Sequence, residues 1–481
     1  MATDPGLRRL ALRTLLAAFP GTTAPDWARR LLEDGLTGYT FFGYNVADAD
    51  QLSQLTAQLR DARNDVLIAI DEEGGDVTRL AHRTGSPYPG NAALGVVADP
   101  AVTQQVYQAI GNDLASVGVN LDLAPTVDVN TADDNPIIGT RSFGADPGEV
   151  ARHTAAAVAG LQRTGVAACA KHFPGHGATV TDSHLTLPRV DATPAELRRR
   201  DLPPFAAAIE AGAKSIMTAH IVVPALTGQD PATFSSAALV TLLREEYGFT
   251  GAIITDALEM AGAAETAGSV PAAAIRSLAA GADLLCIGAQ VDAALVDQVA
   301  DRIAAAITSG ELRRDRVEQA AARAASLAEW ASVPNPADPL PADLGYRAAQ
   351  RAVQVSGELA TTAAPVVVQF DAAATIAEGR VPWGPDGHLP GVVRLDPAHA
   401  TVDHLRKLAG DRPLALVGRH LHRDPATRAL IEEVAQQHPT VVAEMGWPST
   451  WRPADAHAFI TTHGASYANS AALASVLHPS A

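Results

Sequence analysis

The segment KHFPGHGATVTDSH, which runs from Lys171 to His184, brings three histidines, a lysine and a carboxylate together on one stretch of chain. It follows the apolar run VAACA, and its glycines and proline suit an irregular loop that approaches a ligand closely. His184 stands two residues from Asp182, and such a pair can form a hydrogen bond that orients the imidazole and favours its protonated form. This pairing suits a general acid. The alternative interpretation is a surface loop whose histidines are ordinary polar groups.

Four side chains of this segment are also possible Zn²⁺ ligands, namely His172, His176, Asp182 and His184. Their spacing differs from that of compact zinc motifs such as HExxH, and the ammonium group of Lys171 beside them would oppose a divalent cation. We therefore expect neither a metal ion nor a cofactor.

Two further carboxylates follow apolar runs directly. In GFTGAIITDALEM, Asp256 ends a strand-like run and precedes a predicted helix, so its carboxylate would be held at a fixed position, as a nucleophile requires. Aspartate is also a favoured helix N-cap, and this segment alone leaves both interpretations open. In IDEEGGDVTRL, Asp71 ends the run VLIAI and precedes two glycines that permit a tight turn, so it could equally be a turn former.

The elements that must position these residues repeat a strand-helix pattern up to about Trp330. Short apolar runs alternate with helical stretches, and the runs are TGYTFFG, DVLIAID, GVNLDLAP, VAACAKH, SIMTAH, GAIITD and ADLLCIG. This pattern favours a TIM-like (β/α)8 barrel over an open doubly wound sheet. The polar residues at the carboxyl ends of these runs, where barrel enzymes build their sites, are Asp71, Asp122, Asp128, Lys171, His172, His220 and Asp256.

A second domain is predicted after a proline-rich stretch. Residues 332–345 hold four prolines and resemble a semi-rigid linker. Beyond it, apolar runs such as PVVVQF and LALVGRH again alternate with helical segments. We predict an α/β fold of two parts, with a catalytic barrel over residues 1–335, a linker over 336–345 and a smaller α/β sandwich domain over 346–481.

Composition narrows the possible partners. The 53 acidic and 36 basic side chains give a formal charge of −17, which disfavours nucleic acid and anionic membranes and suits a neutral small molecule such as a sugar. Cys169 and Cys286 lie in apolar runs and are expected to be buried and unpaired. Because Arg13 interrupts the N-terminal apolar stretch and no long apolar span occurs, we expect a cytoplasmic location. The oligomeric state cannot be read from the sequence.

Taken together, these segments resemble the barrel of glycoside hydrolase family 3, most closely its two-domain bacterial, NagZ-like β-N-acetylglucosaminidases. The resemblance covers nearly all of residues 1–330, and it is carried by the segments IDEEGGDVTR, NLDLAPTVDVNTADDNPIIGTRSFGADP, KHFPGHGATVTDSHLTLP, DLPPFAAAIEAGAKSIMTAHIVVPALTGQDPATFSS and LLREEYGFTGAIITDALEM. The KHFPGHG…DSH segment is specific to the hexosaminidase branch.

The resemblance implies a retaining mechanism in which Asp256 attacks the anomeric carbon. His184, assisted by Asp182, would protonate the leaving oxygen and later activate water. The residues that match positions binding the hydroxyls of the terminal sugar are Asp71, Arg79, Arg141, Lys171 and His172.

The chain departs from the family pattern at three positions. Glu72 and Asp76 stand where the family usually has Gln and Arg, and Ala257 follows the nucleophile where a second acid is usual. The first two add negative charge near the expected sugar site, whereas every proposed catalytic residue is present.

Two other functions compete with hydrolysis. Phosphorolysis would release N-acetylglucosamine 1-phosphate, and a neutral imidazole repels an incoming phosphate less than a carboxylate does. A non-catalytic sugar-binding protein is the more remote alternative, because it would be expected to have lost Asp256, Asp182 or His184. The sequence does not distinguish a cell-wall muropeptide from a chitin-derived substrate.

Overall fold

The computed structural model describes residues 4–183, 186–288, 291–333, 335, 337–359 and 364–478. They fall into two compact units. The first comprises Met1–Glu72, Thr103–Asn135 and Ala145–Leu340, and the second comprises Glu73–Val102, Pro136–Gly144 and Pro341–Ala481. Both the 73–102 and the 136–144 segments therefore belong to the unit that contains the C-terminal part of the chain. The bounds 335 and 346, given above for the two domains, stay a prediction.

The strands are β1 (Leu15–Ala17), β2 (Gly38–Phe41), β3 (Leu67–Ile70), β4 (Leu121–Asp122), β5 (Ala167–Phe173), β6 (Ser215–Thr218), β7 (Ala252–Thr255), β8 (Leu285–Cys286), β9 (Gln354–Gly357), β10 (Val366–Phe370), β11 (Val393–Leu395), β12 (Leu414–Gly418), β13 (Thr440–Glu444) and β14 (Ala458–Thr461). The α-helices are α1 (Pro5–Leu12), α2 (Asp26–Asp34), α3 (Ala49–Ala62), α4 (Asn91–Val97), α5 (Pro100–Ser116), α6 (Pro147–Gln162), α7 (Pro194–Arg200), α8 (Pro203–Glu210), α9 (Pro224–Thr227), α10 (Ala261–Ala267), α11 (Val270–Ala280), α12 (Ala293–Ser309), α13 (Arg314–Ala331), α14 (Leu344–Ala352), α15 (Val402–Ala409), α16 (Pro425–Gln437) and α17 (Tyr467–Leu477). Short 3₁₀ helices span Gly43–Asn45, Gly139–Arg141, Ala232–Phe234, Pro385–Gly387 and Pro397–His399, and Ala237–Glu246 is a π-helical segment.

The first unit is an eight-stranded parallel sheet with strand order β7-β6-β5-β4-β3-β2-β1-β8. A parallel bridge between Ile254 and Leu284 joins the two ends of this order and closes the ring. Each strand lies beside its neighbour in the chain, and helices connect them, which is the arrangement of a (β/α)8 barrel. The barrel predicted from the sequence is confirmed.

The interior of the barrel is filled by small and aliphatic side chains from strands all round the ring. A single buried cluster joins Leu67 and Ala69 of β3 with Ala252 and Ile254 of β7, strands that are not neighbours in the sheet. Residues of α13, including Leu327 and Ala331, belong to the same cluster. Such a cluster can form only inside the ring, so residues spaced by two along each strand point inward.

The second unit contains a six-stranded mixed sheet of order β11-β10-β12-β13-β14-β9, in which β9 alone pairs antiparallel. Alternate side chains of its strands pack into two separate hydrophobic cores. Val367 and Ala415 lie in a cluster with residues of α17, whereas Val368 and Leu416 lie in another with residues of α15 and α16. Helices therefore cover both faces of this sheet, and the predicted α/β sandwich is confirmed, with the addition of an antiparallel edge strand.

Both cysteines are unpaired and buried, as expected. Across the described ranges, we find no helix with the length and hydropathy needed to traverse a bilayer. The cytoplasmic location stays a prediction.

Candidate active site

Three chemically active side chains continue the inward-facing register of barrel strands to the carboxyl end of the ring. Leu67 and Ala69 of β3 are in phase with Asp71. In the same way Ala167 and Cys169 of β5 lead to Lys171, and Ala252 and Ile254 of β7 lead to Asp256. Because inward-facing residues repeat every two positions, two carboxyl groups and one amino group lie at the same mouth of the barrel.

Lys171 and Asp71 form an ion pair, with 2.7 Å between Nζ and Oδ1. The lysine side chain is only 3% exposed and the aspartate side chain is 21% exposed. A buried ammonium group needs such a partner, since an unpaired charge would be strongly destabilising there. The aspartate keeps part of its carboxylate open to solvent, where it can accept hydrogen bonds from a ligand.

Asp122 lies beside this pair and is completely buried. Its Oδ1 accepts the backbone N–H of Glu72 at 3.0 Å, and its Oδ2 has no hydrogen-bond partner among the described residues. Complete burial, reinforced by the negative charges of Glu72 and Asp71, raises the pKa of Asp122 well above its ordinary value. Burial thus opposes the ionisation of this carboxyl group next to Asp71.

Asp128 organises the start of the histidine-rich segment. Its Oδ2 lies 2.7 Å from Nδ1 of His172, and its Oδ1 accepts the backbone N–H groups of His172 at 3.3 Å and His176 at 2.7 Å. Burial opposes the ionisation of Asp128, but attraction to His172 and His176 together with these hydrogen bonds outweighs it and lowers its pKa. His172, which the sequence analysis assigned to substrate binding, is thus held by a buried carboxylate.

His176 is buried and has partners on both ring nitrogens. Nδ1 lies 2.7 Å from Oγ1 of Thr179, Nε2 lies 3.1 Å from Oγ of Ser183, and the carbonyl accepts Nδ2 of Asn135 at 3.0 Å. We infer that His176 fixes the path of the loop. Its partners Asn135 and Asp128 are far away in sequence, so the segment itself gave no signal of this role.

Asp256 is partly exposed, and its Oδ1 accepts the backbone N–H of Ala257 at 2.8 Å. The next peptide is fixed by His220, a fully buried residue whose Nε2 donates to the Ala257 carbonyl at 3.0 Å. His220 is in turn oriented by Thr233, with 2.8 Å between Nδ1 and Oγ1. The sequence places His220 at a strand end and indicates no role for it; in the structure it supports the segment that carries Asp256.

The predicted acid/base pair is only partly described. Asp182 is partly exposed, and its carbonyl accepts the backbone N–H of Thr186 at 3.1 Å. His184 lies outside the described residues. Its pairing with Asp182 stays a prediction.

Arg141 and Arg79, both predicted to contact sugar, belong to the second unit. The buried guanidinium of Arg141 donates to both carboxylate oxygens of Glu73, at 2.9 and 2.7 Å, and to the carbonyl of Ile137 at 2.8 Å. Arg79 donates from Nη2 to the carbonyl of Ala377 at 2.7 Å and from Nη1 to that of Glu378 at 3.3 Å. Each arginine therefore has a fixed orientation. Within the described ranges, we find no group of three His, Cys, Asp or Glu residues placed to hold a metal ion.

Comparison with known proteins agrees with this architecture. The family model described as the glycosyl hydrolase family 3 N terminal domain matches residues 16–327. This chain belongs to glycoside hydrolase family 3 and is a glycoside hydrolase.

Particular members of the family are similar to this chain. A protein named β-hexosaminidase from Methylococcus capsulatus is 37% identical over 301 residues, which cover 61% of this chain and 89% of that protein. β-Hexosaminidase A from Pseudoalteromonas piscicida is 35% identical over 331 residues, covering 64% of this chain and only 55% of the relative. The structure of a family 3 β-N-acetylglucosaminidase from Paenibacillus sp. strain FPU-7 superimposes with a TM-score of 0.87 at 30% identity, covering 98% of this chain and 96% of that one.

Proposed function

We propose that this protein is a retaining exo-β-N-acetylglucosaminidase that removes terminal N-acetylglucosamine from muropeptides or chitin-derived oligosaccharides. The observation that carries the proposal is the common inward register of Asp71, Lys171 and Asp256, which supplies a hydroxyl-binding ion pair and a carboxylate at one mouth of a barrel. The names of relatives at 30% identity or more support the choice of sugar.

In the first step of the proposed reaction, a carboxylate oxygen of Asp256 forms a bond to the anomeric carbon as the bond to the leaving oxygen breaks. His184 donates a proton to that oxygen, and Asp182 stabilises the charged imidazole beforehand. In the second step, neutral His184 takes a proton from water, the water oxygen bonds to the anomeric carbon and the Asp256 carboxylate is released. Two displacements return the sugar with its original configuration.

The remaining side chains would hold the terminal sugar. The partly open carboxylate of Asp71 can accept hydrogen bonds from hydroxyl groups, and the Lys171 ammonium can donate one. His172, Arg79 and Arg141 complete the proposed set. Each of these five has a fixed partner in the protein, so little side-chain entropy would be lost on binding.

The proposal is tested by incubating the protein with p-nitrophenyl N-acetyl-β-glucosaminide, with and without phosphate, and identifying the products by mass spectrometry and NMR. We expect free N-acetylglucosamine, formed first as the β-anomer, under both conditions. N-acetylglucosamine 1-phosphate in the phosphate sample would establish phosphorolysis instead. Binding without turnover would indicate a sugar-binding protein, and the α-anomer as first product would exclude retention.

A further inference from the structure

A buried arginine in the second unit is bonded to two carboxylates from different segments. Arg419 directly follows β12, and its Nη2 lies 2.5 Å from Oε1 of Glu378 and 3.2 Å from Oδ2 of Asp76. The three side chains are 7%, 8% and 3% exposed, respectively. Asp76 is the position at which this chain departs from the arginine usual in the family.

Asp76 connects further parts of the same unit. Its Oδ2 accepts the hydroxyl of Thr140 at 2.7 Å, and its Oδ1 accepts the backbone N–H of Ala465 at 2.8 Å. Together with Arg419, these contacts reach three separate stretches of chain. The turn that carries Asp76 and Arg79 is thereby fixed by the side chain of Asp76.

Glu378 stabilises the turn whose backbone carbonyls bind Arg79. Its Oε2 accepts the backbone N–H of Thr375 at 3.2 Å, and its own backbone N–H donates to Oγ1 of Thr375 at 3.2 Å. These contacts hold the turn whose carbonyls, those of Ala377 and Glu378, accept the guanidinium of Arg79. Arg419 holds the same turn through the carboxylate of Glu378.

The contacts form a closed ring. It runs from Arg419 to Asp76, along the chain to Arg79, across to the carbonyl of Glu378 and through the Glu378 side chain back to Arg419. Burial alone would lower the pKa of Arg419, but Asp76 and Glu378 outweigh it and raise the pKa above its ordinary value. Without this cation, two buried carboxylates would repel each other on opposite sides of the ring, and the two turns would separate.

We propose that Arg419 is a positioning residue for substrate recognition, which holds Arg79 in the orientation required to bind the sugar by clamping Asp76 and Glu378 together. The inference rests on the proposed function, because it takes Arg79 as a sugar-binding residue. A purely structural role for Arg419 is the alternative, and it predicts loss of stability without a specific effect on substrate binding.

A double-mutant cycle separates the two. We expect Arg79→Ala and Arg419→Met each to lower kcat/KM for the N-acetylglucosaminide by ~10-fold or more, mostly through KM. If Arg419 acts through Arg79, the double variant should lose little more than Arg79→Ala alone. Arg419→Lys, which keeps the charge, should recover part of the loss.

Arg412→Met provides the matched control. Arg412, like Arg79, donates to two backbone carbonyls, those of Ala364 and Pro365, but it lies at the opposite end of β10 and β12 from Arg419. We expect it to leave KM unchanged. If Arg419→Met does not fold, Glu378→Gln carries the same test, because it removes the charge and keeps the size of the side chain.

The outcomes distinguish a failure of the proposed function from a failure of the positioning role alone. A wild-type protein that does not turn over N-acetylglucosaminides would overturn the proposed function and this inference with it. An active wild type whose Arg79 and Arg419 losses multiply, or whose Arg419→Met variant loses melting temperature at unchanged KM, would overturn the positioning role alone. A normal KM for Arg79→Ala would do the same, since there would be nothing to position.

Discussion

The Nζ atom of Lys171 lies 2.7 Å from Oδ1 of Asp71, although the strands that carry them, β5 and β3, are separated by β4 in the sheet. This contact joins two side chains and is separate from the backbone hydrogen bonds of either strand. It places a paired cation almost completely inside the barrel mouth and leaves a carboxylate partly open. Desolvation of the two charged groups opposes folding, and the donor and acceptor groups that the pair presents are suited to a polyhydroxylated substrate.

Replacing Lys171 by Met should therefore impair sugar binding. The substitution removes a donor and leaves Asp71 without its partner, so we expect kcat/KM to fall ~100-fold, or by about 2.7 kcal/mol in transition-state stabilisation. Lys214→Met is the control, because Lys214 lies over the ring of Trp330 just before β6, at the other end of the barrel strands. Equal activity of the two variants would contradict the role given to Lys171.

Asp128→Asn should loosen the histidine-rich loop. Asp128 accepts hydrogen bonds from His172 and from the backbone of His176, so its replacement by Asn should cost about 1–3 kcal/mol at pH 7. Because the pKa of Asp128 is lowered in the folded state, its stabilisation is complete above the ordinary value of 3.8 and is lost as the pH falls through the lower folded-state value. Denaturant titrations at pH 7 and pH 5 should show the same decrease in the free energy of unfolding of Asp128→Asn relative to wild type. No decrease at either pH would refute this account.

His184→Ala tests the acid/base role directly. If His184 donates the proton, the variant should cleave natural disaccharides very slowly, while formation of the glycosyl-enzyme from a substrate with a good phenolic leaving group should be much less affected. Azide needs no base and should restore turnover, giving a β-glycosyl azide. Asp182→Ala should behave similarly but more mildly. Equal losses on both substrates without azide rescue would place the acid/base elsewhere.

Asp201 should make the fold sensitive to pH. Its side chain is fully buried and paired with Arg200, yet burial raises its pKa from 3.8 to about 6. A raised pKa means that the folded state favours the protonated acid, so this contribution to stability is present below pH 3.8 and declines as the pH rises towards about 6. Asp201→Asn should therefore raise the melting temperature relative to wild type more at pH 7.5 than at pH 5. A difference that is independent of pH would disprove this assignment.

Much of the fold could be predicted from the apolar runs of the sequence. Seven barrel strands coincide with predicted runs, because each strand is buried on both sides and so reads as continuous apolar sequence. β1 was missed, since it has only three residues, Leu15–Ala17, and only Arg13 and Thr14 separate it from α1. β9 was missed for the opposite reason. Its residues are exposed, and an antiparallel edge strand needs no apolar pattern.

From apolar periodicity alone, the candidate site was predictable only where a strand leads into it. Asp71, Lys171 and Asp256 could be found because each ends an apolar run of fixed register. The buried contacts of Asp128 and Arg419 could not, since their partners are distant in sequence and hydrogen bonds leave no periodic pattern. For the same reason the substitution of Asp76 looked like a local change in charge, whereas the structure shows that Arg419 compensates it.

The most direct test of the central claim is covalent trapping of the nucleophile. The protein is treated with a 5-fluoro N-acetylglucosaminyl fluoride, digested, and the labelled peptide is sequenced by tandem mass spectrometry. We predict one glycosyl group, attached to Asp256, and no label in Asp256→Ala, which should also lose ~10³-fold or more in rate. Asp292→Ala, which removes only the N-cap of α12, should label normally. Attachment to Asp71 or Asp182, or inactivation without any covalent adduct, would contradict the account.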